Sequence, residues 1–290
     1  MTILIDTLTD ALLDTAKLIP FLFLTYLAME FLEDRAGEKT LLTVRNTRRF
    51  GPLIGAFAGL LPQCGFSAAA SGLYAGGVIT AGTLLAIFLS TSDEMLPILL
   101  SESVPLSVIA RLLLCKLVPA VLTGISIDVL TALRRRVRPA GAEKHIHDLC
   151  EQDHCGCEEG NILTSALRHT VQVAFFIFII TFAAGLAIES VGEETAAAFL
   201  AQRQAGGVFL TALIGLIPNC SASVMITELY LEGILSTGQM LAGLLVGAGV
   251  GLLVLFRSNR HLKENLCLTG ILYAAGVFWG LLFNWLQITI

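Results

Sequence analysis

Apolar and polar residues succeed one another along this chain in long blocks, not with the short period of an amphipathic surface helix. Residues 12–32 form an apolar run of about the 20 residues that a helix needs to cross a bilayer. A polar stretch, 33–49, follows. Residues 50–61 and 66–75 are apolar, but each is about half a span, and Pro62-Gln63-Cys64-Gly65 separates them. Residues 78–100 are long enough to cross, although Ser90-Thr91-Ser92-Asp93-Glu94 lies inside the run. Residues 101–105 turn and 106–130 cross again. Residues 131–161 are the one long hydrophilic segment. The same order then returns: a span at 162–188, a polar loop at 189–204, two short arms at 208–217 and 222–231, and spans at 234–256 and 266–286.

The return is a repeat in residues as well as in pattern. Leu60-Leu61-Pro62-Gln63-Cys64-Gly65-Phe66-Ser67 reappears as Leu216-Ile217-Pro218-Asn219-Cys220-Ser221-Ala222-Ser223. At the same offset Gly59 matches Gly215, Tyr74 matches Tyr230, Gly77 matches Gly233 and Gly82 matches Gly238, without a gap. The chain therefore reads as two copies of one unit, residues 1–130 and 162–290, joined by a linker at 131–161.

Composition agrees with the block pattern. Of 290 residues, 55% are hydrophobic and only 14% charged, and the mean hydropathy is +0.79. A soluble domain carries about 25% charged residues, so a multi-pass membrane protein is expected. The first residues, with Asp6, Asp10 and Asp14, lack the basic region of a secretory signal. The cysteines number seven, and four of them (Cys64, Cys115, Cys220, Cys267) fall in apolar segments, which argues against a disulfide framework. The arginines flank spans and form no basic face, so nucleic-acid binding is not expected.

Placement of charge predicts orientation. Thirteen of the 18 Lys and Arg residues lie in three loops, at 33–49, 131–161 and 257–263, which should face the cytoplasm. The loop at 189–204 matches 33–49 by the repeat offset but has one Arg203 against three acids, so it should face outside. The two copies are then inverted in the membrane, a common transporter design. Both termini should lie outside, in a prokaryotic plasma (inner) membrane. Residues 50 and 131 both fall inside with three apolar stretches between them. That parity requires the two short arms to enter and leave on one side as a re-entrant hairpin. The alternative, two Pro-kinked full spans, breaks the charge rule. The expected fold is an all-α membrane protein of two inverted-topology repeats, each with three spanning helices plus one re-entrant helical hairpin, ten helical segments in all.

Two hairpin tips that enter from opposite faces would meet near the midplane, where irregular backbone is tolerated only against protein or a water-filled cavity. Each second arm starts at its tip and would aim free N–H groups there. Gln63 and Asn219 offer amide groups, Cys64 and Cys220 soft sulfur, and Ser67, Ser221 and Ser223 hydroxyls. The plainer reading makes the Cys and Ser residues small spacers that let helices approach closely. Asp93 and Glu94, with Ser92 beside them, sit deep in an apolar run. Carboxylates there face protein or water and mark an ion path, unless they lie at the outer headgroups. Glu228 on the second returning arm is a third candidate, equally suited to an outer vestibule. Lys116 and Arg111 are possible partners of these acids; Arg111 also has the option of reaching outward to the headgroups.

The linker holds His145, His147, Cys150, His154, Cys155 and Cys157, six His or Cys residues in thirteen, with carboxylates between them. This is a metal-binding composition. Its spacing is not that of a zinc finger, so a flexible donor or sensor loop is expected ahead of a rigid structural site; a merely solvated loop is the alternative.

These motifs resemble the bacterial ten-span heavy-metal exporter family, also labelled manganese transporters and grouped near the arsenic permeases. The likeness covers nearly the whole chain. It is most specific at Leu61-Pro62-Gln63-Cys64-Gly65-Phe66-Ser67, at Ser90-Thr91-Ser92-Asp93-Glu94-Met95-Leu96-Pro97, in the linker from Ile146 to Cys157, and at Ile217-Pro218-Asn219-Cys220-Ser221. The resemblance implies metal efflux. The expected protein is a secondary transporter, not an enzyme, that exports manganese or another divalent heavy metal in exchange for protons. It has no cofactor beyond its substrate ion and a metal on the linker, its partner is the bilayer, and a homo-oligomer is compatible with it. No phosphate-binding loop is present to couple transport to a nucleotide. A carrier for a small anion or organic acid, with Asp93 and Glu94 binding the coupling cation, is the alternative. A metal sensor without transport would leave the repeated tips without a purpose.

Overall fold

The computed structural model describes residues 2–35, 50–61, 64–92, 95–137, 162–191, 204–259 and 261–288, and among these every regular element is helical. The first copy contains α1 (Thr2–Arg35), α2 (Gly51–Gly59), α3 (Cys64–Ala75), α4 (Ala81–Ser90), α5 (Met95–Ser101) and α6 (Leu106–Val137). The second contains α7 (Ile162–Val191), α8 (Gln204–Gly215), α9 (Cys220–Leu231), α10 (Thr237–Val246), α11 (Val250–Ser258) and α12 (Leu262–Trp285). The starts of α9, α10 and α12 fall 156 residues after those of α3, α4 and α6. Among the described residues five stretches are long and apolar enough to cross a membrane: Ala81–Ser101, Leu106–Leu133, Ala166–Ala183, Thr237–Ser258 and Leu262–Trp285.

The spans expected at 78–100 and 234–256 are present as Ala81–Ser101 and Thr237–Ser258, but each is interrupted along its length. In the first, Thr91 is extended (φ −52°, ψ 127°) and ends α4. Three hydroxyls take up nearby carbonyls: Ser90 and Thr91 donate to Ile87 O, at 3.0 and 2.7 Å, and Ser92 donates to Ser90 O at 3.0 Å. Short hydroxylated side chains compete with the helical ladder in this way. In the second, Gly249 at φ 51° separates α10 from α11, a conformation that only glycine adopts freely. With each interrupted pair counted as one segment, the described helices number ten.

Close approaches at glycines give the helix directions. A methyl group on Gly51 would strike Thr83, one on Gly55 Thr83 and Ile87, and one on Gly59 Ile87 and Ser90. Residue numbers rise together, so α2 and α4 run parallel. The chain must return between them, and α3 is the returning arm. In the second copy Val208 lies beside Gly280 near Gly238, and Gly215 lies against Gly243, so α8 and α10 are parallel as well. Gly82 packs on Asp128 while Ala86 packs on Gly124, so residue numbers run in opposite senses and α6 is antiparallel to α4. The returning arms both end in a left-handed glycine, Gly77 at φ 72° and Gly233 at φ 76°. Val78 N bonds Leu73 O and Ile234 N bonds Leu229 O, both at 2.9 Å, closing the same helix C-cap in each copy.

The copies are joined by exchange. α3 lies along α11, and α9 touches α5, so each returning arm meets the second half of the other copy's interrupted helix. Ser71 Oγ donates to Gly251 O at 2.6 Å across the first of these contacts. Thr123 and Trp279, equivalent by the 156-residue offset, bond to each other at 3.1 Å. α1 packs chiefly on α7. Thr7, near the start of α1, meets Gly185, near the end of α7, where an added Cβ would lie 2.6 Å from Thr7 Cγ2. These two equivalent helices therefore run antiparallel.

Candidate functional site

The two helix breaks and the tip of the second hairpin converge on one pocket. Thr91, Ser92 and Met95 line it from the break between α4 and α5, Lys116 from α6, Asn219, Cys220 and Ser223 from the start of α9, and Leu244, Gly247 and Gly249 from the break between α10 and α11. Its volume of about 10 Å³ has room for roughly one water-sized particle. Both copies supply walls, but different groups.

Local sequence explains each placement. Asn219 is extended (φ −142°, ψ 138°) and is the N-cap of α9: its Oδ1 accepts from Ser221 N at 3.0 Å and from Ser221 Oγ at 3.1 Å. The amide oxygen thus satisfies one of the free N–H groups at a helix start. Asn219 Nδ2 lies 3.3 Å from the position a Cβ on Gly185 would occupy, so this tip touches the end of α7. Ser223 is one turn further, on the face of α9 that looks at Gly247. Cys220 between them is half-buried.

Lys116 is 1% exposed. Its ammonium donates to Thr91 O, at the end of α4, and to Leu244 O, 3.1 Å away in the last turn of α10. These are two C-terminal helix ends from opposite copies. There the carbonyls run out of intrahelical donors and the helix dipole is negative. In the second break Ala248 N bonds Val246 O at 2.7 Å, so it does not continue the ladder to Leu244 O. Lys116 answers that loss. Its equivalent in the second copy is Leu272, also 1% exposed, so the buried charge belongs to one copy only.

Of the residues singled out from sequence, Ser92, Asn219, Cys220 and Ser223 share this pocket. Ser221 sits at the same tip, exposed, where it supports Asn219. Ser67 is fully buried elsewhere, packed on Gly251, whose added Cβ would lie 2.8 Å from Ser67 Cβ. Glu228 is exposed, two turns along α9 from the tip. Arg111 is exposed on α6. Gln63, Asp93, Glu94 and the linker residues His145, His147, Cys150, His154, Cys155 and Cys157 lie outside the described residues, as does the side chain of Cys64. Among the described residues no three His, Cys, Asp or Glu side chains converge on a point.

Two lining residues take places the sequence does not predict. Met95, beside the acids of its motif, is 1% exposed in the pocket wall. Lys116, expected as a partner of carboxylates, bonds main-chain carbonyls. A lone lysine inside an apolar run of more than twenty residues was the available signal.

The donor set is mixed. Residues with hydroxyl, amide, thiol, thioether and ammonium groups share the pocket lining. The chain's N-terminal two thirds, residues 1–197, match the family model described as "Putative, 10TM heavy-metal exporter". No curated protein and no solved structure matches.

Proposed function

On the premise that the chain belongs to the 10TM heavy-metal exporter family, a family of membrane transporters, we propose that it carries a divalent, thiol-seeking metal ion out of the cytoplasm in exchange for protons. The observation that carries this reading is the placement of Cys220 and Met95 in one buried pocket with Thr91, Ser92, Asn219 and Ser223, where interrupted helices from both copies meet. Thiol and thioether donors select zinc, copper or cadmium over manganese, which prefers carboxylate and carbonyl oxygen. In this reading Asp93 and Glu94, next in the chain after Ser92, complete the ligand set with Gln63 and Cys64. The six His and Cys residues of the linker collect metal on the cytoplasmic side.

The transport cycle follows from the repeat. The parallel course of α2 and α4 supports a hairpin that enters and leaves on one side. The antiparallel course of α1 and α7 supports two copies inverted about an axis in the membrane plane, and the loops rich in Lys and Arg favour both termini outside. One copy rocking against the other would open the pocket to each face in turn.

Inside-out proteoliposomes loaded against a pH gradient test the proposal. Saturable uptake of Zn²⁺ or Cd²⁺ above Mn²⁺, with counter-movement of protons and loss in Asp93→Asn, is the expected result. One observation favours a second reading: the Lys116 ammonium and the N–H groups at the start of α9 suit a small anion. Uptake of anions with no flux of any metal would replace the metal reading by that one.

A further inference from the structure

We propose that Asn219 is a specificity-determining residue of this pocket. It offers the ion an N–H edge and no oxygen, and so tells against hard metal ions. The inference deepens the metal-exchange reading and rests on it.

The first observation is which end of the amide is engaged. Oδ1 accepts from Ser221 N at 3.0 Å and from Ser221 Oγ at 3.1 Å, so both of its lone pairs serve the start of α9. The same bonds fix the orientation of the amide. Turned over, it would set its NH₂ against the Ser221 N–H, donor against donor. The side chain is 7% exposed and lines the pocket. Nδ2 has no hydrogen-bond partner among the described residues. What Asn219 has left to offer an occupant is a donor.

Capping alone does not call for that donor. Thr80 caps α4 and Ser236 caps α10, each with a hydroxyl that accepts from a first-turn N–H. Hydroxyl and amide oxygens serve this purpose about equally well. The group that sets Asn219 apart from the other two caps is its NH₂.

The main-chain oxygens at the helix breaks are engaged as well: Thr91 O and Leu244 O both accept from Lys116. The hydroxyls of Thr91 and Ser92 donate to Ile87 O and Ser90 O and keep their lone pairs. Among the described lining residues a cation is therefore left with hydroxyl oxygens and with the sulfur of Cys220 and Met95. Asp93 and Glu94 follow Ser92 outside the described residues. A hard ion such as Mn²⁺ depends on carboxylate and carbonyl oxygen, whereas a soft ion is held by sulfur. An N–H edge in place of an amide oxygen thus costs the hard ion more. Cys220 and Met95 discriminate by what they supply, Asn219 by what it withholds.

The test exchanges that one group. Asn219→Asp keeps an oxygen for the cap and puts a second oxygen where the NH₂ stands. Asn219→Ser keeps a capping oxygen and removes the NH₂ without adding a carboxylate. Purified full-length protein in detergent is titrated with radiolabelled Mn²⁺ and Cd²⁺, and the ratio of the two dissociation constants is read beside the thermal midpoint. Asn219→Asp should shift the ratio toward Mn²⁺ by about tenfold or more, and Asn219→Ser should shift it the same way by less. Asn219→Ser decides the matter if the aspartate variant does not fold. A role confined to the cap would move the midpoint and leave the ratio alone. An unchanged ratio, or a shift toward Cd²⁺, with metal still bound by the wild type overturns the role of Asn219 alone. No metal binding by the wild type overturns the metal reading and this inference together.

Discussion

At the scale of single residues, equivalent positions can do the same work in the two copies with different side chains. Asp128 caps the start of α4: it accepts from Gly82 N at 2.9 Å and from Thr80 Oγ1 at 2.7 Å. Its equivalent, Asn284, accepts from Ser236 Oγ at 2.9 Å at the start of α10. An amide thus suffices where a carboxylate stands in the other copy. Asp128→Asn should therefore be mild, whereas Asp128→Ala strips the acceptor from two donors and should cost about 1–2 kcal/mol. A lower thermal midpoint for the alanine variant alone, in detergent, is the expected outcome. In the pocket, Cys220→Ser exchanges a soft donor for a hard one. Loss of one ligand should lower Cd²⁺ and Zn²⁺ transport by about tenfold or more, with Mn²⁺ less affected. Equal loss for all three metals would remove Cys220 from the ligand set.

The helix is the scale at which tight packing and function meet. The breaks have local causes: hydroxyls end α4, Pro97 in the first turn of α5 has no N–H to offer a continuous ladder, and a left-handed glycine separates α10 from α11. Breaks of this kind expose main-chain carbonyls and N–H groups to a pocket inside the membrane, where only protein or water can satisfy them. α3 and α11 approach so closely at Gly251 that an added Cβ would come within 2.9 Å of the Ser67 carbonyl carbon. Gly251→Val must then move backbone, and overpacking of this kind typically costs about 1–3 kcal/mol. Gly270, on α12, has nothing within 4 Å, so Gly270→Ala should be neutral or slightly stabilising. Unfolding of the two variants followed by circular dichroism separates a contact effect from a general intolerance of glycine replacement.

For the whole molecule, the decisive relation is that between the copies. If α1 and α7 run antiparallel, Thr7→Cys with Gly185→Cys should form a disulfide within one chain under mild oxidation. Thr7→Cys paired with a cysteine at residue 163, the position equivalent to Thr7, should not. The reverse result would mean that the two helices run parallel and that the copies are related by an axis along the membrane normal. The exchanged contacts, α3 with α11 and α9 with α5, mean that neither copy completes its own packing. Each interrupted helix therefore depends on the other copy's returning arm, and Lys116 bonds the ends of α4 and α10.

Much of this was legible in the chain itself. Apolar blocks set the number of segments, because a bilayer forces main-chain polar groups into helices of limited length. The 156-residue repeat placed the hairpins, because α3 and α9, α4 and α10, and α6 and α12 begin at matched residues. Ser92, Asn219, Cys220 and Ser223 were visible as candidates because polar residues are costly inside apolar runs. Tertiary structure decided the rest. Ser67 and Cys220 look alike in sequence, as small residues near a repeated proline, yet one packs a helix contact and the other lines the pocket. The neighbour across the gap makes that difference, and it comes from the other copy. The helix breaks depend on who takes up the freed carbonyls, and for Thr91 and Leu244 the answer is Lys116, on a helix that no local pattern links to either.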